Sequence, residues 1–113
     1  MNELDKDSLR QGVYDIVKCI PRGRATSYGA IAKAVGYPNL SRMIGKIMTG
    51  CSEKNIPAHR VVNSQGILSG KDAFGSAGEM QKQLEDEGVI VKNDRIVNWK
   101  TVFWNPLKEI KLE

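Results

Sequence analysis

His59 is the single histidine of this chain, and Cys19 and Cys51 are its two cysteines. These side-chain types carry nucleophilic and metal chemistry, so their spacing decides what they can do. Three such residues are too few for a structural zinc site without carboxylate help. No metal-binding cluster and no poised pair of carboxylates accompanies them, so the pattern calls for no cofactor. Cys19 falls beside Ile16 and Ile20 in a helical pattern and is expected as a small core residue. A polar, partly acidic N-terminus is wrong for a secretory signal. No apolar run approaches the ~20 residues a membrane helix needs. A cytoplasmic, membrane-free location is therefore expected, where a disulfide is disfavoured.

Charge points elsewhere. Residues 1–62 hold ten Lys/Arg against five Asp/Glu, a net +5. Residues 63–113 hold seven against eight, a net −1. A basic half suits a polyanion, although a cationic bias of ordinary surface fits equally well. A chain of 113 residues predicts a single domain, 1–113, with a modest core.

The elements that must position these groups are mostly helical. Leu9, Val13, Ile16, Val17 and Ile20 recur at helical spacing over residues 5–20, and Pro21 stops the run. Ser27 can cap a short helix with Ile31, Ala32 and Val35 inward, ended by Gly36. A third helix is predicted from about Leu40 to Thr49, with Met43, Ile44, Ile47 and Met48 inward and Gly50 after it. Val61-Val62 is a short apolar pair before the turn Asn63-Ser-Gln-Gly66. Ser76 can cap a helix to Glu87, and residues 89–99 read as a hairpin turning at Asn93-Asp94. The charged residues after Asn105-Pro106 carry no assignment.

Ser27 to Thr49 thus has the shape of a helix-turn-helix, and the hairpin could serve as its wing. The predicted fold is a mostly α, winged-helix-like DNA-binding domain. Ser41, Arg42, Gly45 and Lys46 face outward on its second helix, and small residues with cations suit a sugar-phosphate backbone. Any small helical domain also joins two helices by a turn, so this pattern alone leaves a plain structural reading open.

Residues 56–62, Ile-Pro-Ala-His-Arg-Val-Val, narrow the choice. They resemble the active-site segment of the O6-alkylguanine-DNA alkyltransferases, Ile/Val-Pro-Cys-His-Arg-Val-Val/Ile. Ile20-Pro-Arg-Gly23, Thr26-Ser-Tyr-Gly29, Ser41-Arg-Met-Ile-Gly45 and Glu87-Gly88 are similar to further family blocks, in the same order. The likeness covers roughly residues 8–91. It departs at Ala58, where the enzymes carry the cysteine that accepts the alkyl group. Alanine has no nucleophile. The chain is thereby identified as a member of the alkyltransferase-like proteins, which keep the fold and pocket without the cysteine or the extra N-terminal domain of many enzymes. Cys51, seven positions earlier across a proline-containing loop, is expected to be a partly buried or surface thiol, not a replacement.

The resemblance implies a partner and a set of roles. The partner is double-stranded DNA containing O6-alkylguanine, contacted by the helix-turn-helix through the minor groove, bound by a monomer without alkyl transfer and handed to nucleotide excision repair proteins. Arg42 matches the finger that replaces a flipped base, for which a planar guanidinium is suited; a phosphate contact is the simpler alternative. Tyr28 matches the pocket tyrosine, or is an aromatic packed at a helix start. Ala58 and Val61 would offer backbone carbonyls to the guanine, a role that tolerates side-chain change. His59 and Glu87 match a proton relay left without a thiol, and are expected as a buried hydrogen-bonded pair, with Arg60 as a scaffold of the pocket loop. Residues 67–75 would form a lid, with Lys71 placed near the adduct or solvated. Ser41 and Lys46 are expected against DNA; Lys46, Lys33, Arg22 and Arg24 are candidate phosphate contacts, each read singly as a plain surface charge and together as a source of salt-dependent binding. A helix-turn-helix regulator without lesion preference is the competing function.

Overall fold

The computed structural model describes residues 5–51, 53, 55–74 and 78–110. Helix α1 runs over Lys6–Lys18. Asp5 caps it, accepting from the backbone N–H groups of Asp7 and Ser8 at 3.0 and 3.3 Å. Leu9, Val13, Tyr14 and Val17 form its buried stripe. The helix ends at Lys18, so Cys19 sits beyond the stripe and is exposed, its thiol donating to the Asp15 carbonyl at 3.3 Å. The expectation of a core Cys19 is corrected accordingly.

Strand β1, Thr26–Ser27, leads directly into α2, Tyr28–Ala34. Ser27 caps α2 by accepting from Ala30 N–H at 3.1 Å, as its sequence position predicts. After the turn through Gly36, α3 spans Ser41–Thr49, with Ile44 and Met48 buried. A single 3-10 turn, Ala58–Arg60, then feeds β2, Val61–Val62. Strands β1 and β2 pair in parallel, Thr26 with Val61 and Ser27 with Val62. Successive strand residues face opposite ways. Val61 accordingly enters the core built by α1, α2 and α3, while Val62 enters a second core with Leu68, Met80, Leu84, Val91 and Ile96. This short parallel pair sets Tyr28 and Ala58 close together.

The second core is covered by α4, Glu79–Asp86, and by the hairpin of β3, Val91–Lys92, with β4, Arg95–Ile96. Asn93 and Asp94 both have left-handed backbones, φ 53° and 61°, the conformation of a tight I′ hairpin turn. The hairpin is shorter than residues 89–99: Trp99 opens α5, Trp99–Val102, instead. The expected Ser76 cap lies outside the described residues; α4 begins after Gly78, whose φ is 81°. The fold is mostly helical and winged-helix-like, as the pattern predicts.

The C-terminal residues join the first core. Trp104 is 2% exposed and sits with the α1–α3 cluster, ahead of α6, Pro106–Glu109. Its backbone N–H donates to the Ala25 carbonyl at 2.7 Å. Arg24 wraps the same segment, donating to the carbonyls of Val102 and Phe103 at 2.9 and 2.6 Å and pairing with Glu109 at 3.1 Å. Its expected phosphate role is therefore replaced by an internal one. Removing a buried indole leaves a large cavity. Trp104→Ala is expected to cost about 3–5 kcal/mol in chemical denaturation, whereas a peripheral tail would cost almost nothing.

Candidate nucleic-acid interface

Two helix faces and two loops bound an open groove of about 800 Å³. Tyr28 and Gly29 come from α2, and Ser41, Arg42, Gly45 and Lys46 from α3. Asn63 and Ser64 after β2, with Ser69 and Gly70, close the far side. The structure thus brings together the four residues predicted to meet DNA: Tyr28, Ser41, Arg42 and Lys46. Arg42 and Lys46 are exposed and one helical turn apart, so both project from one face. Neither has an ion-pair partner among the described residues, which leaves both charges available to an anion. Gly45 keeps the approach low: a Cβ there would stand 4.0 Å from the Tyr28 ring.

A small recess opens behind this groove. Tyr28, Met48, Thr49, Ala58, Val61, Gly70, Phe74 and Met80 line it. Tyr28, Thr49 and Gly70 belong to both spaces and form the threshold. The free volume is about 10 Å³, room for about one water-sized molecule. Gly70 makes the threshold narrow, since any Cβ there would lie 2.7 Å from the Tyr28 hydroxyl oxygen. Burial pushes the Tyr28 phenol up from its ordinary range, partly offset by a hydrogen bond with Ser69, so at neutral pH it is a neutral donor. Cys51 is not among the recess-lining residues and packs at the edge of the first core.

Beneath the recess, Glu87 gathers the family segment. His59 Nε2 donates to Glu87 Oε2 at 2.7 Å, because the ionised carboxylate only accepts. Arg60 donates to both oxygens, Nε to Oε1 at 3.0 Å and a terminal nitrogen to Oε2 at 2.7 Å. Its other terminal nitrogen reaches the Ile20 carbonyl at 2.8 Å. Gly23 N–H donates to Oε1 at 2.9 Å, from a turn with φ 84° that a side chain would strain. The Glu87 side chain is only 5% exposed. Burial by itself pushes its carboxyl up, yet Arg60, Gly23 and His59 together outweigh it and hold the pKa at about 2. His59, Arg60 and Glu87 are thus the buried scaffold expected of them.

Lys71 is placed differently. Its Nζ pairs with Asp94 at 2.6 Å at the hairpin tip, both side chains 46% exposed, and it lines neither the groove nor the recess. Arg22 donates to the Asp86 carbonyl at 2.8 Å. Sequence reasoning did not single out Ser69, Gly70, Asn63, Ser64 or Thr49. The Asn63-Ser-Gln-Gly66 turn and the Ser-Gly pair of the lid were the available signals, both read as loop chemistry.

A carboxylate held below its unfolded value binds fewer protons when folded, so stability rises with pH through that window. The fall from 4.5 to about 2 at Glu87 is worth about 3 kcal/mol at neutral pH. That contribution is fully present above about pH 5 and is lost as pH falls towards 2. Glu87→Gln is expected to be less stable at pH 7 and to show a correspondingly flatter stability profile than the wild type between pH 5 and 2. Parallel profiles would remove Glu87 from this role.

Comparison with known proteins agrees with this geometry. Residues 8–89 match the family model for the 6-O-methylguanine DNA methyltransferase DNA binding domain. Alkyltransferase-like protein 1 of Schizosaccharomyces pombe is 37% identical over 105 residues, covering 88% of this chain and 97% of the relative. The DNA base-flipping protein of Escherichia coli is 36% identical over 102 residues, covering 88% and 77%. The crystal structure of the S. pombe protein in complex with damaged DNA containing O6-carboxymethylguanine superposes with a TM-score of 0.79 at 36% identity, covering 89% of this chain and 98% of that one. The O6-methylguanine methyltransferase of Mycobacterium tuberculosis gives 0.57 at 29% identity, covering 76% and 50%. With the family's DNA binding domain matching residues 8–89 of this chain and alkyltransferase-like protein 1 matched over 97% of its length, this chain belongs to the O6-methylguanine-DNA methyltransferase family, on its alkyltransferase-like branch.

Proposed function

We propose that this protein binds double-stranded DNA containing O6-alkylguanine, flips the damaged base into the recess behind Tyr28, and releases it chemically unchanged. The observation that carries this reading is Ala58 in the recess wall, directly before an intact His59–Glu87–Arg60 cluster. The family's enzymes place a cysteine at that point. A methyl group cannot accept an alkyl group, so the proton chemistry of His59 and Glu87 serves the loop alone.

The steps follow from the geometry. Arg42 and Lys46 supply charge to hold the duplex, with Ser41 beside them at the start of α3. Flipping costs a few kcal/mol, and Arg42 offsets it by filling the vacated stack with a planar, hydrogen-bonding guanidinium. Tyr28 stands at the threshold, where its hydroxyl can donate to the entering base. The recess must widen for that base, so Tyr28 and the Ser69–Gly70 lid separate on binding. The Ala58 carbonyl already accepts from Val61 N–H within the 3-10 turn, and its second lone pair remains for the exocyclic amine. The carbonyl of Val61 is the second proposed acceptor. Binding by a monomer in the cytoplasm and transfer of the marked site to nucleotide excision repair proteins complete the proposal.

A binding titration with matched duplexes, one carrying O6-methylguanine, tests it at fixed salt. The lesion duplex is expected to bind more tightly and to be recovered unaltered. Equal affinities would instead support a helix-turn-helix regulator without lesion preference. Arg42→Ala is expected to weaken lesion binding by at least about tenfold, equivalent to about 1.4 kcal/mol; unchanged affinity would refute the finger role. Because alanine leaves more room than cysteine, O6 adducts larger than methyl should bind more tightly than methyl. Equal or weaker binding of the larger adducts would sink that expectation.

A further inference from the structure

Helix α3 has two flanks, and only one of them faces Tyr28. On the other side, α3 and α1 enclose a second groove of about 470 Å³, with Tyr14 and Ile47 in its floor and Lys6, Arg10, Lys46 and Glu53 around it. The two grooves meet along α3, because Lys46 and Gly50 line both. Lys6 and Arg10 are exposed and one turn apart on α1, so they share a face. Lys6 has no ion-pair partner among the described residues. Arg10 meets Asp7 at 3.1 Å, but the two side chains are 50% and 90% exposed, a pairing that a phosphate can displace. Even with Asp7 and Glu53 set against them, three cations leave the rim positive.

Duplex geometry says what this rim would meet. A helix with its side chains is about 10–12 Å across, whereas the minor groove of B-DNA is about 6 Å wide. A helix docked on that groove therefore has a sugar-phosphate strand along each flank. If the damaged base enters beside Tyr28, its strand lies on the Tyr28 side. The complementary strand then lies on the α1 side. We propose that Lys6 and Arg10 bind phosphates of the complementary strand, making α1 the second wall of the DNA interface with Lys46 shared between the walls. The strand assignment rests on the proposed lesion-binding reading; the phosphate contacts themselves do not.

The test compares wild type with Lys6→Gln/Arg10→Gln on matched undamaged and O6-methylguanine duplexes. Each neutralised phosphate contributes about 0.9 to the slope of log affinity against log salt. The double variant is expected to have a slope shallower by about 1.8. Between about 50 and 200 mM salt, its affinity should fall about tenfold less than that of the wild type. Both duplexes should lose affinity by the same factor, so lesion preference is unchanged. Uncharged methylphosphonate linkages in the complementary strand should weaken the wild type more than the double variant, which keeps only Lys46 on that side. The same linkages in the lesion strand should weaken both proteins. An unchanged salt slope overturns the proposal, as does equal sensitivity of the two proteins to linkages in the complementary strand. Loss of lesion preference in the wild type would overturn the lesion-binding reading instead, while the slope on undamaged duplex would still score Lys6 and Arg10.

Discussion

One buried carboxylate ties the molecule together. Glu87 ends α4, and its two oxygens collect donors from the turn after α1, from His59 and from Arg60. Arg60 extends the connection to the Ile20 carbonyl. Three segments distant in sequence are thereby fixed around a single charge. Burying a carboxylate is costly unless every lone pair is used, and here imidazole, guanidinium and backbone donors surround it. The loop bearing Ala58 is therefore held by electrostatics from beneath and by β2 from its C-terminal end.

That arrangement explains how a recess can persist without its chemistry. In a thiol enzyme a histidine and a glutamate would be judged by proton transfer. Here the same pair is satisfied as a structural unit, because the imidazole donates to a carboxylate that Arg60 and Gly23 keep ionised. The Ala58 side chain takes no part in any of these bonds. The cluster that holds the loop is therefore separable from the residue that stands at position 58.

Much of the fold was legible where hydrophobic periodicity or capping chemistry is local. The stripe Leu9, Val13, Val17, the Ser27 cap and the Ile44 and Met48 face of α3 stand where their spacing puts them, while Met43 and Ile47 are only half-buried at the edge of that face. The Asn93-Asp94 turn was likewise written in residues that tolerate positive φ. The parallel pairing of Thr26–Ser27 with Val61–Val62 was not legible, since two-residue strands have no period and their partner lies 35 positions away. The C-terminal segment escaped for a related reason: α5 and α6 have four residues each, and Trp104 is buried by long-range contacts with Ala25 and the first core. At the site, the family blocks located Tyr28, Arg42, Ala58, His59 and Glu87. Of the two places open to Lys71, the structure shows the solvated one, and the counter-charge beside it, Asp94, comes from the hairpin.

Without a covalent endpoint, recognition has to be decided by binding free energy alone. A single-use acceptor makes any productive encounter permanent, so its affinity need only survive until transfer. A reversible binder must offset base flipping for as long as the lesion is to remain marked. Two features of the chain bear on that demand. The threshold formed by Tyr28 and Gly70 is tight, so a base that has passed it must displace the lid again to leave. Among the described residues the cations around α3 are unpaired or loosely paired, so a bound duplex would gain attraction without breaking a buried ion pair there. In the proposed complex the first feature would slow departure, and the second would keep the protein on the duplex while the base is inside. The lifetime of the complex then replaces a chemical rate as the quantity that the recess and the cationic flanks of α3 jointly set.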